Sequence, residues 1–285
     1  MSKPYSFVPL LKRESYRIND KKVRGKIELT IKVLNALHVS QTNYNMNEKE
    51  VLYKMFYKVR DKYAIPGTSI KGMVRNIAEM VSYSCIGNTK DENKYIPNNK
   101  RDKCKTGEYC MVCDIFGSMG KRSKIKVGDF IYEEGTGKSS IIPLPTLRTP
   151  KFKESYTIKG IAKGYKIYNH GVDSIRKEGN YNCECFLKDS IFKGTIIYED
   201  IDQKELELLC YSIGLSGSFN HKLGYGKPAY YGSIEVNCND VKYIEYAKNY
   251  EVNVAKDIKS NMDLLNKNYS FKNAKTKPDY DELTY

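Results

Sequence analysis

An α+β domain of the ferredoxin-like (RRM-like) type is predicted by three observations. A period-two apolar pattern opens the chain's core, and two amphipathic helices follow with clear start and stop signals. Shorter apolar runs fall between and after them, giving the order strand, helix, strand, strand, helix, strand.

The first strand spans Arg24 to Val39, where Ile27, Leu29, Ile31 and Val33 alternate with Glu28, Thr30 and Lys32. Asn43 to Glu50 is polar and reads as a loop. The first helix runs from about Thr68 to Ser84. Pro66 and Gly67 break the preceding segment, Thr68 or Ser69 supplies the N-cap, and Ile70, Val74, Ile77 and Val81 follow at core spacing. Ile86 to Cys110 is rich in Lys and Asn, as an inserted loop would be. Gly128 to Tyr132 is a short strand, Glu133 to about Asn182 a second insertion, and Ser190 to Tyr198 a further strand. Asp202 caps a second helix that ends at Ile213, with Glu205 completing a capping box and Gly214 as the stop. Tyr231 to Val236 is the last strand. The pattern gives one domain over 1–246 with insertions at about 85–123 and 134–190. A polar tail over 247–285 ends in the acidic Asp279, Asp281 and Glu282.

The formal net charge of +14, from 48 Lys+Arg against 34 Asp+Glu, points to a polyanionic partner. The 25 tyrosines and 9 phenylalanines supply stacking surfaces among those cations, which suits single-stranded nucleic acid. An AT-rich genome also enriches Lys, Asn, Tyr and Ile. No apolar run is long enough for a transmembrane helix, and Met1 to Leu11 lacks the apolar core of a signal peptide. The expected location is cytoplasmic, with no membrane partner.

Two basic, glycine-bearing segments are candidate phosphate sites. In the first, the helix start at Ser69 presents N–H groups, with Lys71 and Arg75 four residues apart on one face. An ordinary capped surface helix has the same pattern. In the second, Gly224 and Gly226 let the backbone approach a phosphate, while Lys222 and Lys227 add charge. A hairpin connection would also carry such glycines. Neither segment matches the phosphate loop of nucleotide hydrolases or the dinucleotide fingerprint.

Cys104, Cys110 and Cys113, with Cys85 upstream at the mouth of the same insertion, have the spacing of a tetrahedral structural Zn²⁺ site. Free thiols near the core are the alternative. Cys183 and Cys185 alternate as strand neighbours do and are expected only to pack. Of the three histidines, His38 at the end of the first strand and His221 in the glycine loop can approach one another. Such a pair would serve general acid–base cleavage of RNA, or would simply hydrogen-bond a backbone or a phosphate.

Three motifs in this order resemble the RAMP superfamily of CRISPR-associated proteins, in particular backbone subunits of type III-like effector complexes. They are Ile65-Pro66-Gly67-Thr68-Ser69-Ile70-Lys71-Gly72 with Arg75; Cys113-Asp114-Ile115-Phe116-Gly117 before Gly128-Asp129-Phe130; and Leu223-Gly224-Tyr225-Gly226-Lys227-Pro228. Gly164 to His170 is similar to a segment of larger members. The resemblance implies a palm with a zinc-bearing insertion and a thumb-like insertion. Copies of such a subunit stack along a guide RNA (crRNA) and present it to a complementary target, with RNA expected over DNA. The resemblance implies grip on the RNA backbone through Lys71, Arg75 and the glycine loop; together with the residue reading above, the expected RNA contacts are Ser69, Lys71, Arg75, His38, Lys222, Gly224, Gly226 and Lys227. Other copies of the chain and other effector subunits, including a separate nuclease, are the implied partners. Slicing members carry a catalytic aspartate in the loop after the first strand, and here Leu37 to Glu50 holds none. No catalytic residue is therefore expected. The alternative is a ribonuclease that slices target RNA through Glu48 or Glu50, or processes precursor guide RNA through His38.

Overall fold

The computed structural model describes residues 3–17, 21–86, 95–97, 100, 104, 107–147, 156–176 and 181–276. Its main sheet is antiparallel and runs His221–Lys222, Ser233–Asn237, Val23–Val33, Ile191–Ile201, Phe130–Tyr132, Lys62–Ile65, Lys58–Val59. The four strands named first, second, third and fourth in the sequence pattern thus lie in the order fourth, first, third, second. That order is compatible with a ferredoxin-like fold. The register sets Ile31 opposite Phe192 and Ile27 opposite Ile196, so the apolar side of the alternation forms one inner layer.

Five α-helices are present among the described residues: α1 Gly67–Met80, α2 Met111–Phe116, α3 Gln203–Ile213, α4 Val241–Val252 and α5 Lys256–Asn268. Ile70, Val74 and Ile77 of α1 and Leu206, Leu209 and Ile213 of α3 join the sheet's inner layer in a single apolar cluster. The start and stop of α3 are those the sequence predicts. Asp202 accepts from the Glu205 N–H, Glu205 reaches back to the Asp202 N–H, and Gly214 adopts φ +94°.

The first strand, expected over Arg24–Val39, ends at Val33, and two further segments differ from the sequence-based expectation. The stretch read as a loop at Asn43–Glu50 holds most of an edge strand, Ser40–Met46, which pairs with Leu52–Phe56. With Asn182–Phe186 and Ser139–Pro143 these make a second, four-stranded sheet. Ser40–Met46 is exposed along nearly its whole length, so it carries no apolar alternation, and backbone pairing alone makes it a strand.

The polar stretch from 247 continues α4 and forms α5. Tyr250, Ile258, Met262 and Leu265 are buried. The Asn261 side-chain amide donates to the Met80 carbonyl at the end of α1 (2.7 Å), and the Tyr250 hydroxyl donates to the Val81 carbonyl (2.8 Å). Few but well-spaced apolar residues suffice here because polar side chains complete the C-terminus of α1. Asp279, Asp281 and Glu282 lie outside the described residues, as do parts of both insertions. In the second insertion, Tyr165–Tyr168 pairs with the N-terminal strand Tyr5–Val8.

Candidate nucleic-acid interface and cysteine centre

The start of α1 is built across the chain rather than locally. Neither Thr68 nor Ser69 caps it: the Gly67 N–H donates to Asp129 Oδ1 (2.8 Å), and the Ser69 and Ile70 N–H groups donate to the Pro66 carbonyl. A side chain at Gly67 would lie against the backbone of Val127 and Gly128. This contact explains why a Pro-Gly step and a Gly-Asp step occur in the same protein. It also corrects the expectation of a free anion site at this helix end, where a carboxylate already engages the first amide.

The faces of α1 divide the predicted contacts. Lys71 Nζ donates to Ser123 Oγ (2.8 Å). Arg75 donates to Glu79 (2.9 Å), the Gly117 carbonyl (2.8 Å) and Cys113 Sγ (3.7 Å). Glu79 is buried, and that burial raises its pKa while the Arg75 hydrogen bond and charge pull it down. The Arg75 guanidinium therefore fastens α1 to α2 inside the protein and is not a free phosphate clamp.

The neighbouring face carries Ser69, Gly72 and Asn76. It lines a groove of about 550 Å³ whose other walls are Lys166 and Tyr168 on one strand and Lys222, Gly224 and Lys227 in the glycine loop. Lys222 is buried with Nζ 3.3 Å from Ser233 Oγ, and burial holds its pKa well below the ordinary lysine value. Burial lowers Lys227 as well. Lys166, ringed by Tyr5, Tyr156 and Tyr168, is pushed down to about 8 by burial and by Lys3. Partly dehydrated ammonium groups gain most from an incoming anion, because the anion replaces the lost water as the source of charge stabilisation.

The loop's glycines serve packing first. Gly224 has φ +76°, and a Cβ there would collide with the His38 carbonyl oxygen, which accepts the Tyr225 N–H (2.9 Å). Gly226 has the same φ and packs on Tyr231. The His38 ring is buried against Phe56, with Nδ1 2.7 Å from the Glu184 carbonyl, and burial lowers its pKa. His221 is buried with Nε2 2.9 Å from the Ile213 carbonyl and is pushed down to about 4 by burial. Among the described residues no contact joins the two rings, so the expected pairing is not formed. His38 supports the loop through its carbonyl while its ring bonds the Glu184 carbonyl and packs on Phe56.

Four of the eight predicted contacts, Ser69, Lys222, Gly224 and Lys227, therefore meet in the groove. Lys71 and Arg75 turn toward the Gly117–Ser123 segment, and His38 and Gly226 hold the loop from within. Asn76, Lys166 and Tyr168 also line the groove, outside the predicted set. The signal that could have found them is the Gly164–His170 segment together with helical spacing from Ser69. Glu48 and Glu50 lie in the exposed turn after Ser40–Met46, where Asn47 Oδ1 accepts the Lys49 and Val51 N–H groups. Among the described residues, the one group of three or more His, Cys, Asp or Glu suited to a metal is the cysteine cluster.

In that cluster the sulfurs of Cys85, Cys104, Cys110 and Cys113 all lie within 4.8 Å of one another. Three of the separations are 3.4, 3.7 and 3.9 Å. A tetrahedron with metal–sulfur bonds of about 2.3 Å has edges of about 3.8 Å, so the four sulfurs fit one metal ion. The spacing is too long for a disulfide, and all four cysteines are free. The Cys110 N–H donates to Cys104 Sγ (3.2 Å), and hydrogen bonds from the other three thiols hold Cys104 well below the usual thiol range. Lys100, buried with Nζ over the Tyr165 ring, adds positive charge beside Cys85 and Cys110. Cys183 and Cys185 are buried in the second sheet, away from this set.

The comparison of the sequence with family models decides the family. A model of the RAMP superfamily matches residues 30–235, from within the first palm strand into the last. This chain belongs to the RAMP superfamily. RAMP proteins are CRISPR-associated, and members generally bind crRNA and act in multi-subunit CRISPR complexes. A search of curated proteins gives no match to this RAMP chain. No described helix is long and apolar enough to cross a membrane.

Proposed function

We propose that this RAMP protein is a backbone subunit of a type III-like CRISPR effector. In this reading it binds guide RNA along its sugar–phosphate backbone in several copies and presents the bases to a complementary target, RNA in preference to DNA. The groove between α1 and the glycine loop carries the proposal, because three buried or half-buried lysines converge there with backbone and small polar groups. Phosphate contacts of this kind position a strand without reading its sequence. The RAMP domain then extends past 246 to include α4 and α5, which complete the C-terminus of α1. The four cysteines hold a structural Zn²⁺ that braces the first insertion against Arg75, and part of the second insertion acts as the thumb. Cutting falls to a separate nuclease subunit in the cytoplasm.

The ribonuclease reading has less support. Glu48 and Glu50 project from an exposed turn, and the His38 ring is buried with its Nδ1 engaged. The deciding experiment incubates purified protein with guide RNA and labelled complementary RNA, followed by native and denaturing gels. Shifted, intact strands support a passive scaffold. Regular cuts that vanish in Glu48→Ala or Glu50→Ala would establish the slicer instead.

A further inference from the structure

Three tyrosines from separate segments meet on one surface beside the glycine loop. Tyr44 lies on the edge strand Ser40–Met46, directly across the ladder from Lys54. Tyr181 immediately precedes Asn182–Phe186, the strand that sets Cys183 beside Lys54. Tyr225 sits between Gly224 and Gly226 in the glycine loop. The Tyr44 and Tyr181 hydroxyls are 3.4 Å apart, and the Tyr181 and Tyr225 rings lie 5.7 Å apart at a tilt of 47°. Lys54 Nζ stands 5.9 Å from the Tyr44 ring centre and 5.8 Å from that of Tyr181.

Burial within this group is graded. Tyr181 and Tyr225 pack against the buried cluster of Tyr230 and Tyr231, whereas Tyr44 is 52% exposed. The inner rings are thus anchored and the outer ring is presented to solvent. Positive φ on both sides of Tyr225 turns the chain sharply, and its N–H is tied to the His38 carbonyl. One rigid loop therefore carries the groove residues Gly224 and Lys227 together with the inner end of the tyrosine strip. Aromatic rings with an interposed cation have the composition of a stacking surface for unpaired bases.

We propose that Tyr44, Tyr181 and Tyr225, with Lys54, form a stacking platform that takes an unpaired nucleobase of the RNA held in the adjoining groove. The proposal rests on the RNA-binding reading above and adds a base-contacting site to it. Tyr44 and Tyr181 offer ring faces, which every base can use, so the platform holds a base without selecting its identity. Lys54 neutralises charge on the flanking phosphate.

The test measures fluorescence anisotropy of a labelled single-stranded oligoadenylate and of a matched strand with abasic positions. Tyr44→Ala is expected to weaken oligoadenylate binding about ten-fold, the loss of one base stack. Tyr44→Phe retains the ring and binds like the wild type. The Tyr44→Ala loss should disappear on the abasic strand and leave the salt slope unchanged, because stacking releases no counterions. Lys227→Ala, in contrast, should weaken both strands and reduce the slope. Unaltered binding by Tyr44→Ala, or a loss that persists on the abasic strand, overturns the platform while leaving the groove intact. Failure of the wild type to bind either strand overturns both. Tyr44 is on an exposed edge, and Lys54→Ala, which spares every ring, provides a second variant expected to weaken both strands.

Discussion

Replacing Gly67 by alanine should destabilise this protein although it adds a methyl group to a helix. A helical glycine-to-alanine change ordinarily stabilises by about 1 kcal/mol. At Gly67 the new Cβ would lie 2.8 Å from the Gly128 oxygen, 2.9 Å from the Gly128 carbon, and closer still to the Val127 oxygen. All three atoms are backbone, so no side-chain rotation relieves them. The short strand Ile125–Val127 is itself held to Ile191–Ile201, and the Gly128 N–H donates to the Thr195 carbonyl (3.0 Å). Moving that segment puts this bond and the Gly67–Asp129 cap at risk. Overpacking of about 1–3 kcal/mol and about 1 kcal/mol for a lost hydrogen bond outweigh the propensity gain, and a net loss of about 2 kcal/mol follows. Gly72, on the exposed side of the same helix, has nothing within 4 Å of where an alanine methyl would sit, so its replacement should be favourable. Gly72→Ala should gain up to about 1 kcal/mol. Urea unfolding followed by far-UV circular dichroism measures both. The midpoints should separate by about 1 M, with Gly67→Ala below and Gly72→Ala above the wild type. A Gly67→Ala protein at least as stable as the wild type would refute the close approach of α1 to Gly128.

The remaining predictions concern the centre, the groove and the buried imidazoles. Metal analysis of protein purified without chelator should find about one zinc per chain, falling to near zero in Cys110→Ser; metal-free protein with unchanged stability would remove the zinc assignment. Arg75→Ala should destabilise by about 3 kcal/mol, because buried Glu79 loses its ion-pair partner and keeps only the longer Tyr165 hydroxyl bond (3.4 Å) and the charge of Lys100, while leaving the salt slope of RNA binding unchanged. A reduced slope would return Arg75 to the RNA contacts. Stability should also fall as pH drops from about 7 to about 5. The folded pKa values of His38, His170 and His221 all lie below the ordinary histidine value of 6.5, so the unfolded chain binds more protons in that window. For His221, at about 4, the full loss on acidification is about 3 kcal/mol. Buried Glu205, raised to about 7, opposes the imidazoles across this whole window by an amount similar to that of His221 alone, and raised Glu79 adds to it, so the net loss is smaller than the three imidazoles would give. A urea midpoint that rises on acidification would contradict the excess of buried imidazoles over raised carboxyls.

Much of the palm is legible in the sequence because its signals are local. The alternation from Ile27 to Val33 reports one buried sheet face, and the Asp202–Glu205 box with Gly214 marks both ends of α3. Each depends on residues within a few positions of one another. The four-cysteine set is also legible, since spacing and ligand chemistry are properties of the chain.

Ser40–Met46 escapes that reading because an exposed edge strand is defined by its partner's backbone, not by its own side chains. The C-terminal helices do carry a local signal, Ile258, Met262 and Leu265 at helical spacing, which the polar composition masks; what is not local is the bonding of Asn261 and Tyr250 to carbonyls at the end of α1. The same reason governs the site. The sequence by itself determined the charge, the glycine and cysteine motifs and the order of the palm elements. Only the tertiary structure decided that Asp129 caps α1, that Arg75 turns inward, and that Lys166 and Tyr168 join Lys222 and Lys227 around the groove. Those outcomes depend on which groups dehydrate together, and that is set when distant segments pack.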